Sequence, residues 1–360
     1  MRSKVNDKTF EGQTFYIGMD VHKKSWKVTI LGDQFEHKTM SQDPDPVILR
    51  DYLIRNFPGA TYKAIYESGF CDFSICRELN NLGINCGVVH AADVPTNHKE
   101  KMQKTDKADS RKLAKCLRSG EITHIHTPSL ELEADRALVR LRFRLSKDLA
   151  STKIRVKSLL MQFGIPIPEQ FTAGQTRSWC GNYMKWLSNL GTGEASIRQT
   201  LDSYLRIGES QRKEMLLVNR QIRELSKKPC YSVSYELLIS IPGIGFVSAM
   251  TFLVQLGDIK RFKTLDELCY YVGLVPSMHG SGERMQVGKL INRGRKELKV
   301  TLIEVAWDAI GQDPALMAAF NELAKRMNRN KAIIRIARKI LNRIRYVLIN
   351  RTKYELGVMK

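Results

Sequence analysis

Apolar and polar residues alternate through TFYIGMDVHKKSWKVTILGDQFEHKTM, residues 14–40. Phe15, Ile17 and Met19 fall on one face of the first segment, with Tyr16, Gly18 and Asp20 on the other, while Trp26, Val28 and Ile30 share a face of the second. A period of two marks half-buried strands, and Gly32-Asp33 is a turn signal, so the stretch predicts a β-hairpin or meander. Residues 45–57 read as a helix, TYKAIYESG as a short strand ending in Glu67, SICRELNNLG as a helix stopped near Gly83, and INCGVVH as a buried strand. KMQKTDKADSRKLAKCL, residues 101–117, returns to helical spacing. Strands followed by alternating helices and strands predict a mixed sheet with helices packed on it.

The pattern changes over residues 128–162, where Leu138, Leu141, Leu145 and Leu149 mark one helical face and Arg140, Arg142, Arg144, Lys147, Lys153, Arg155 and Lys157 fill the remainder. This predicts a long basic amphipathic helix ended by GIPIPE. A second helical region runs to about residue 229, interrupted near LGTGEAS, and an antiparallel hairpin of the two is expected. From about 230 the chain reads as mostly helical. Its tail from Lys325 to Lys353 carries many Lys and Arg and no acid, with Ile333, Ile336, Ile340 and Ile344 at helical spacing. One side of that tail would pack on protein, and the basic side, with Arg335, Arg338 and Lys339, is a candidate for phosphate contact; a solvated basic face is the plainer alternative. The expected domains are 10–127, 128–229 and 230–360.

Charge sharpens the picture. Across 360 residues, 58 Lys and Arg oppose 37 Asp and Glu, a net charge of +21. Such a field attracts a polyanion, nucleic acid before an anionic membrane. The N-terminus lacks an apolar signal segment, and seven scattered cysteines contain no Cys-x-x-Cys pair, so a reducing cytoplasm, with association to the nucleoid, is expected. His124 and His126 alternate without a third ligand nearby and fit a loop or strand pair better than a metal site. Residues 237–256 carry no charge over the length of a spanning helix, but PGIG divides them, which favours two buried helices around a tight turn.

The candidate chemistry lies in the acids. Asp106 and Asp109 stand at i and i+3, on one helix face, among lysines. Two like charges there are costly unless a cation sits between them, and hard divalent magnesium or manganese suits carboxylate oxygens. Asp20 and Glu67 each end a strand. If those strands are neighbours and the helix crosses their edge, four carboxylates could hold two ions, a clamp for in-line displacement at a phosphodiester. Singly, Asp20 also fits a turn cap, Glu67 a surface residue, and Asp106 and Asp109 solvated acids paired with Lys or Arg.

Further on, SIPGIGFVSAMTFLVQLGD has the pattern of a helix–hairpin–helix, in which Gly243 and Gly245 permit the turn and the next helix offers backbone N–H groups to phosphate. GERMQVGKL fails as a P-loop, having one residue too many between its glycines and Leu290 after the lysine. What remains is Gly280-Ser281-Gly282, a glycine-flanked loop surrounded by His279, Arg284, Lys289, Arg293 and Arg295. A serine hydroxyl is a weak nucleophile, and cations holding a scissile phosphate would assist it.

YIGMDVHKK, AIYESG and KTDKADSRKLA resemble the DEDD transposases of bacterial insertion sequences, relatives of the Piv-type DNA invertases. The resemblance covers most of the chain. It implies an α/β RNase H-like (RuvC-like) N-terminal domain, a helical hairpin or coiled-coil spacer, and a mainly α C-terminal domain with the helix–hairpin–helix. Carried over by motif, Asp20, Glu67, Asp106 and Asp109 would be the metal-binding tetrad and Ser281 the nucleophile, with Ser277 the fallback. Gly280 stands where the family often has a second serine. The resemblance further implies cutting and rejoining of double-stranded DNA at element ends and target, a structured non-coding bridge RNA as guide, Mg2+ or Mn2+ as cofactor, a homo-oligomer (dimer or tetramer), and no membrane. The rival expectation is a RuvC-like nuclease or junction resolvase using water.

Overall fold

A computed structural model describes residues 9–95, 105–172, 179–281, 284–291 and 293–356; over 279–281 and 284–287 the description extends to the backbone. The chain divides into two compact units, residues 1–129 and 130–360.

In the first unit a five-stranded sheet has the order β3-β2-β1-β4-β5. β1 (Thr14–Val21), β2 (Trp26–Leu31) and β3 (Glu36–Gln42) form an antiparallel meander, and β4 (Thr61–Glu67) and β5 (Asn85–Val89) run parallel to β1. The meander thus has three strands. Helix α1 (Pro46–Asn56) starts where the Asp45 carboxylate accepts the Val47 N–H at 2.7 Å, with Pro46 in the first turn, both standard start signals. Helix α2 (Ser74–Asn81) stops before Gly83, which takes φ +85°.

Alternation sorts the strand residues onto two faces. Phe15, Ile17 and Met19 join Trp26, Val28, Ile30, Leu49, Leu53 and Leu79 in the core beneath α1 and α2. The opposite face carries Ile65 and Val89, which pack with Leu113 and Cys116 of α3 (Asp106–Ser119). α3 realises the helix expected over 101–117 from Asp106 onward; residues 101–104 lie outside the described ones. His124 falls in an irregular stretch, its ring seated over Gly87 of β5 and its pKa lowered by burial.

The seat of α3 depends on Gly18. A Cβ there would overlap the Ser110 carbonyl oxygen and the Ala114 amide nitrogen of α3. Beside it the buried Thr29 hydroxyl meets the Ser110 hydroxyl at 2.9 Å. Arg111 pairs with Glu36, and Arg118 donates to the Gly32 carbonyl at 3.2 Å.

In the second unit α4 (Leu130–Gln162) and α6 (Ala195–Ser226) lie alongside each other. Arg142 reaches Asn219 and Thr152 reaches Gln211, a falling partner number that makes the pair antiparallel. The buried residues of α4 are Asp135, Arg136, Val139, Leu149, Thr152, Val156 and Leu160, while Leu141 is exposed, so the stripe expected from Leu138 to Leu149 is only partly the packed one. α5 (Gly181–Asn189) contributes Tyr183 and Leu187 to the cluster formed with Leu201 and Leu205.

The remainder is helical around α12 (Arg329–Asn350), whose Ile333, Ile336, Ile340 and Ile344 are buried. α7 (Ser232–Ile239) and α8 (Phe246–Leu256) are two separate short helices, and no helix among the described residues is long and apolar enough to cross a membrane. α9 (Leu265–Val272) and α10 (Lys296–Ile310) flank an antiparallel ribbon, β6 (Pro276–Ser281) and β7 (Arg284–Leu290), before α11 (Pro314–Arg326). The glycine-flanked loop expected at Ser281 is therefore the end of a strand, with Ser281 opposite Arg284. Gly282 lies outside the described residues, as do the side chains of His279, Ser281 and Arg284.

Gly18→Ala should cost about 1–3 kcal/mol of stability, the usual penalty for forcing volume into a packed interface. Gly181→Ala, where a Cβ meets nothing within 4 Å, should be near neutral. Denaturant unfolding of the two variants checks this; equal stabilities would show that α3 is not held by this contact.

Candidate metal centre

The parallel register sets Met19 of β1 opposite Tyr66 of β4. One step along each strand, Asp20 and Glu67 stand side by side at the carboxyl ends. Each is two residues beyond a position on the α3 face, Gly18 and Ile65, so alternation turns both toward α3. Asp106 and Asp109 occupy the first turn of α3, after Thr105, whose hydroxyl accepts the Ala108 N–H at 3.3 Å. The positive end of the helix favours carboxylates at this position.

The closest grouping contains a residue for which the sequence reading had no role. His22 Nε2 lies 3.3 Å from Asp20 Oδ2 and 3.9 Å from Asp106 Oδ2. One ligand atom from each of Asp20, His22 and Asp106 fits within a mutual distance of 4.8 Å. Glu67 and Asp109 fall outside that trio, though Asp109 is near enough for its charge to act on Asp20. In GMDVHKK the histidine stands two residues past Asp20, just beyond the end of β1.

Asp20 is the least exposed of the three, its side chain 22% accessible against 66% for Asp106 and 56% for His22. Burial raises its pKa; His22 opposes that, and the charges of Asp106 and Asp109 raise it further. The fold thus holds Asp20 where its ionisation is disfavoured, an arrangement that a divalent cation relieves. Two carboxylate oxygens and an imidazole nitrogen form a donor set suited to a first-row or alkaline-earth divalent ion. Past the strand ends, Lys23 lies over the exposed ring of Phe70 at 5.8 Å.

The expected phosphate-binding residues of the second unit divide into exposed cations and cations engaged within the protein. Lys289, Arg335 and Lys339 are exposed. Arg338 pairs with Asp266 at 3.0 Å, and its tail neighbours Arg343 and Arg345 bind Asp313 and the Phe262 and Lys263 carbonyls. Arg293 donates to the Tyr270 hydroxyl at 3.2 Å, and Arg295 lies beside Tyr271. Burial alone would raise the Tyr271 phenol, but the charges of Arg295, Arg261 and Arg136 outweigh it and bring the pKa below the ordinary value. Gly243, at φ +80°, leaves no room for a side chain against the Val305 carbonyl of α10, and its N–H goes to Gln312 Oε1 at 3.2 Å. Gly245 donates to Ser248 Oγ at 2.9 Å. Both glycine amides are bonded within the protein, so a phosphate at this turn would have to draw on the amides that open α8. The fallback nucleophile, Ser277, is half-buried, its hydroxyl seated over Gly288 of the facing strand.

Comparison with known proteins gives this arrangement a class. Residues 17–165, which contain all four acids and His22, match the IS110 DEDD family model, described as a transposase. Residues 235–322 match a second model, described as the transposase IS116/IS110/IS902 family. The chain belongs to this family of insertion-sequence transposases, and the resemblance read from the acidic motifs is borne out. Among its relatives, a putative transposase of Sinorhizobium fredii is 26% identical over 242 residues, covering 67% of this chain but only 57% of the relative's own length. The transposase for insertion sequence element IS1533 of Leptospira borgpetersenii is 26% identical over 249 residues, 68% of this chain and 70% of the relative. The pilin gene-inverting protein of Moraxella bovis is 35% identical over 125 residues, 33% of this chain and 37% of that protein.

The raised pKa of Asp20 carries a sign. Its folded-state value lies above the unfolded one, so stability is surrendered as pH rises through the window above the ordinary aspartate value of 3.8. Without divalent cations, Asp20→Asn should therefore melt higher than the parent at neutral pH, and the advantage should shrink as pH falls into that window. Added Mn2+ should raise the melting temperature of the parent and leave the variant unmoved. Melting curves across pH test this; a variant less stable at every pH would contradict it.

Proposed function

We propose that this protein is a DNA transposase that cuts and rejoins strands at the ends of an insertion element and at its target. The observation that carries the reading is the meeting of Asp20 and Asp106, from strand end and helix start, within a chain whose two halves both match insertion-sequence transposases. The strand order, a meander leading into two parallel strands, supports an RNase H-like (RuvC-like) N-terminal domain. The division at 10–127, 128–229 and 230–360 is kept as our reading, with the α4–α6 hairpin as spacer and α7–α8 as the helix–hairpin–helix.

Asp20, Glu67, Asp106 and Asp109 would hold Mg2+ or Mn2+, which supplies charge stabilisation at the phosphate oxygens. The carboxylates keep the sheet edge anionic, and so repel a phosphodiester, until a cation is present. Ser281 is the proposed nucleophile: its Oγ forms the new bond to phosphorus as its proton leaves, the P–O bond to one deoxyribose breaks, and the departing oxygen takes up a proton. One phosphodiester is exchanged for another, so rejoining needs no external energy source. Lys289, Arg293, Arg295, Arg335 and Lys339, with the side chain of Arg284, are assigned to phosphates of DNA or of a bridge RNA. Arg338 would first have to exchange Asp266 for phosphate. A dimer or tetramer acting at the nucleoid in the cytoplasm completes the reading, because exchange at two sites requires more than one centre.

The test uses duplex DNA carrying an element end, incubated with protein and Mg2+ and quenched in denaturant. A covalent protein–DNA adduct is expected with the parent and none with Ser281→Ala. Asp20→Asn should lose strand exchange by at least roughly a hundredfold, given the several kcal/mol such a cation contributes. Cleavage that persists in Ser281→Ala without any adduct would replace this reading with a water-using nuclease. An adduct that moves with Ser277→Ala would reassign the nucleophile.

A further inference from the structure

We infer that His22 Nε2 is a direct ligand of the cation held by Asp20 and Asp106, giving the centre one nitrogen donor and a preference for Mn2+ over Mg2+. The inference rests on the metal reading above and goes beyond the four acids.

The argument is geometric. With metal–ligand bonds of about 2.1 Å, two donors at right angles in an octahedral shell stand about 3.0 Å apart, and opposite donors about 4.2 Å. His22 Nε2 is 3.3 Å from one carboxylate oxygen and 3.9 Å from the other. Both separations lie between those limits, so a cation can enter among the three atoms with small side-chain adjustments. The three donors come from the end of β1, the residue just beyond it, and the first turn of α3. The packing of Gly18 against α3 fixes the distance between these elements. Nε2 is the ring atom that faces the carboxylates, which leaves Nδ1 to carry the proton of a neutral, ligating imidazole.

The ligand type sets the preference. Carboxylate and water suit Mg2+, whereas imidazole is a better donor to first-row transition ions. Mg2+ gives up its waters reluctantly and favours oxygen donors, so one imidazole among the ligands shifts the balance toward Mn2+. His22 side-chain exposure of 56% leaves the ring free to settle onto an entering ion. The competing explanation is an imidazolium that merely bridges two carboxylates in the absence of metal. It puts no nitrogen in the ion's shell.

The protein with one equivalent of Mn2+ separates these by pulsed EPR. The expected result is electron spin-echo modulation from a directly bound 14N nucleus, lost in His22→Ala and retained in His124→Ala, whose ring packs over Gly87. Titration should show Mn2+ affinity falling about tenfold or more in His22→Ala, with a smaller loss for Mg2+. Bound Mn2+ without nitrogen modulation in the parent, or modulation that survives in His22→Ala, would overturn the role of His22 and leave the carboxylate centre standing. No Mn2+ binding by the parent would overturn the centre and the inference together. Because the parent spectrum alone decides whether nitrogen is bound, the test stands even if a variant folds poorly.

Discussion

The candidate centre depends on how closely α3 can approach β1. Where most sheet positions present a side chain, Gly18 presents none, and the Ser110 and Ala114 backbone of α3 occupies that space. The Thr29–Ser110 hydroxyl pair and the Arg118 contact hold the helix at the same depth. Its first turn is thereby fixed over the ends of two adjacent parallel strands. Asp106 then faces Asp20 because of helix placement, not because of any attraction between the two.

That placement is electrostatically unfavourable by itself. Asp20 is partly desolvated and sits beside two further carboxylates, and His22 does not cancel the effect. Functional sites commonly hold such unrelieved interactions, stabilised by the surrounding structure. The second unit shows the opposite use of charge. The last carbonyls of α8 are capped by Arg136, by Arg261 and by the Tyr271 hydroxyl, and Asp135 is buried against Tyr231 with Lys228 nearby. Cations at a helix C-terminus are favourable, so part of the basic excess is structural. Exposed cations available to a polyanion include Lys289 of β7, Arg335 and Lys339 of α12, and Arg144, Lys147, Arg155 and Lys157 of α4.

Much of the first unit was legible because its signals are local. Strand alternation in TFYIGMDV and WKVTIL, the Asp45-Pro46 start and the Gly83 stop each state their outcome within a few residues. The meeting of Asp20 with Asp106 was legible only as a condition, that the strands ending in Asp20 and Glu67 be neighbours and that the helix cross their edge; the β1–β4 register meets the first part and the seat of α3 on Gly18 the second. His22 was missed because a histidine just past a strand end has no periodicity of its own and acquires meaning only once α3 is in place. The β6–β7 ribbon carries no strand signal in the sequence, where only Gly280-Ser281-Gly282 reads as a loop, because PSMHGSGERMQVGKL mixes glycine and polar residues without a consistent apolar face. On α4 the leucine stripe misled in part because one helix of 33 residues serves two cores. Val139 packs with Val218 and Ile222, and Val156 and Leu160 with Leu201, so no single stripe runs its whole length.

The central claim is that acids distant in sequence share one divalent cation at the edge of the sheet. Crystals of the protein soaked in Mn2+, measured for anomalous scattering, test it most directly. The account predicts a strong anomalous peak among Asp20, Asp106 and His22, with Glu67 or Asp109 completing the shell or holding a second ion. A peak elsewhere, or none under conditions that support strand exchange, would contradict it.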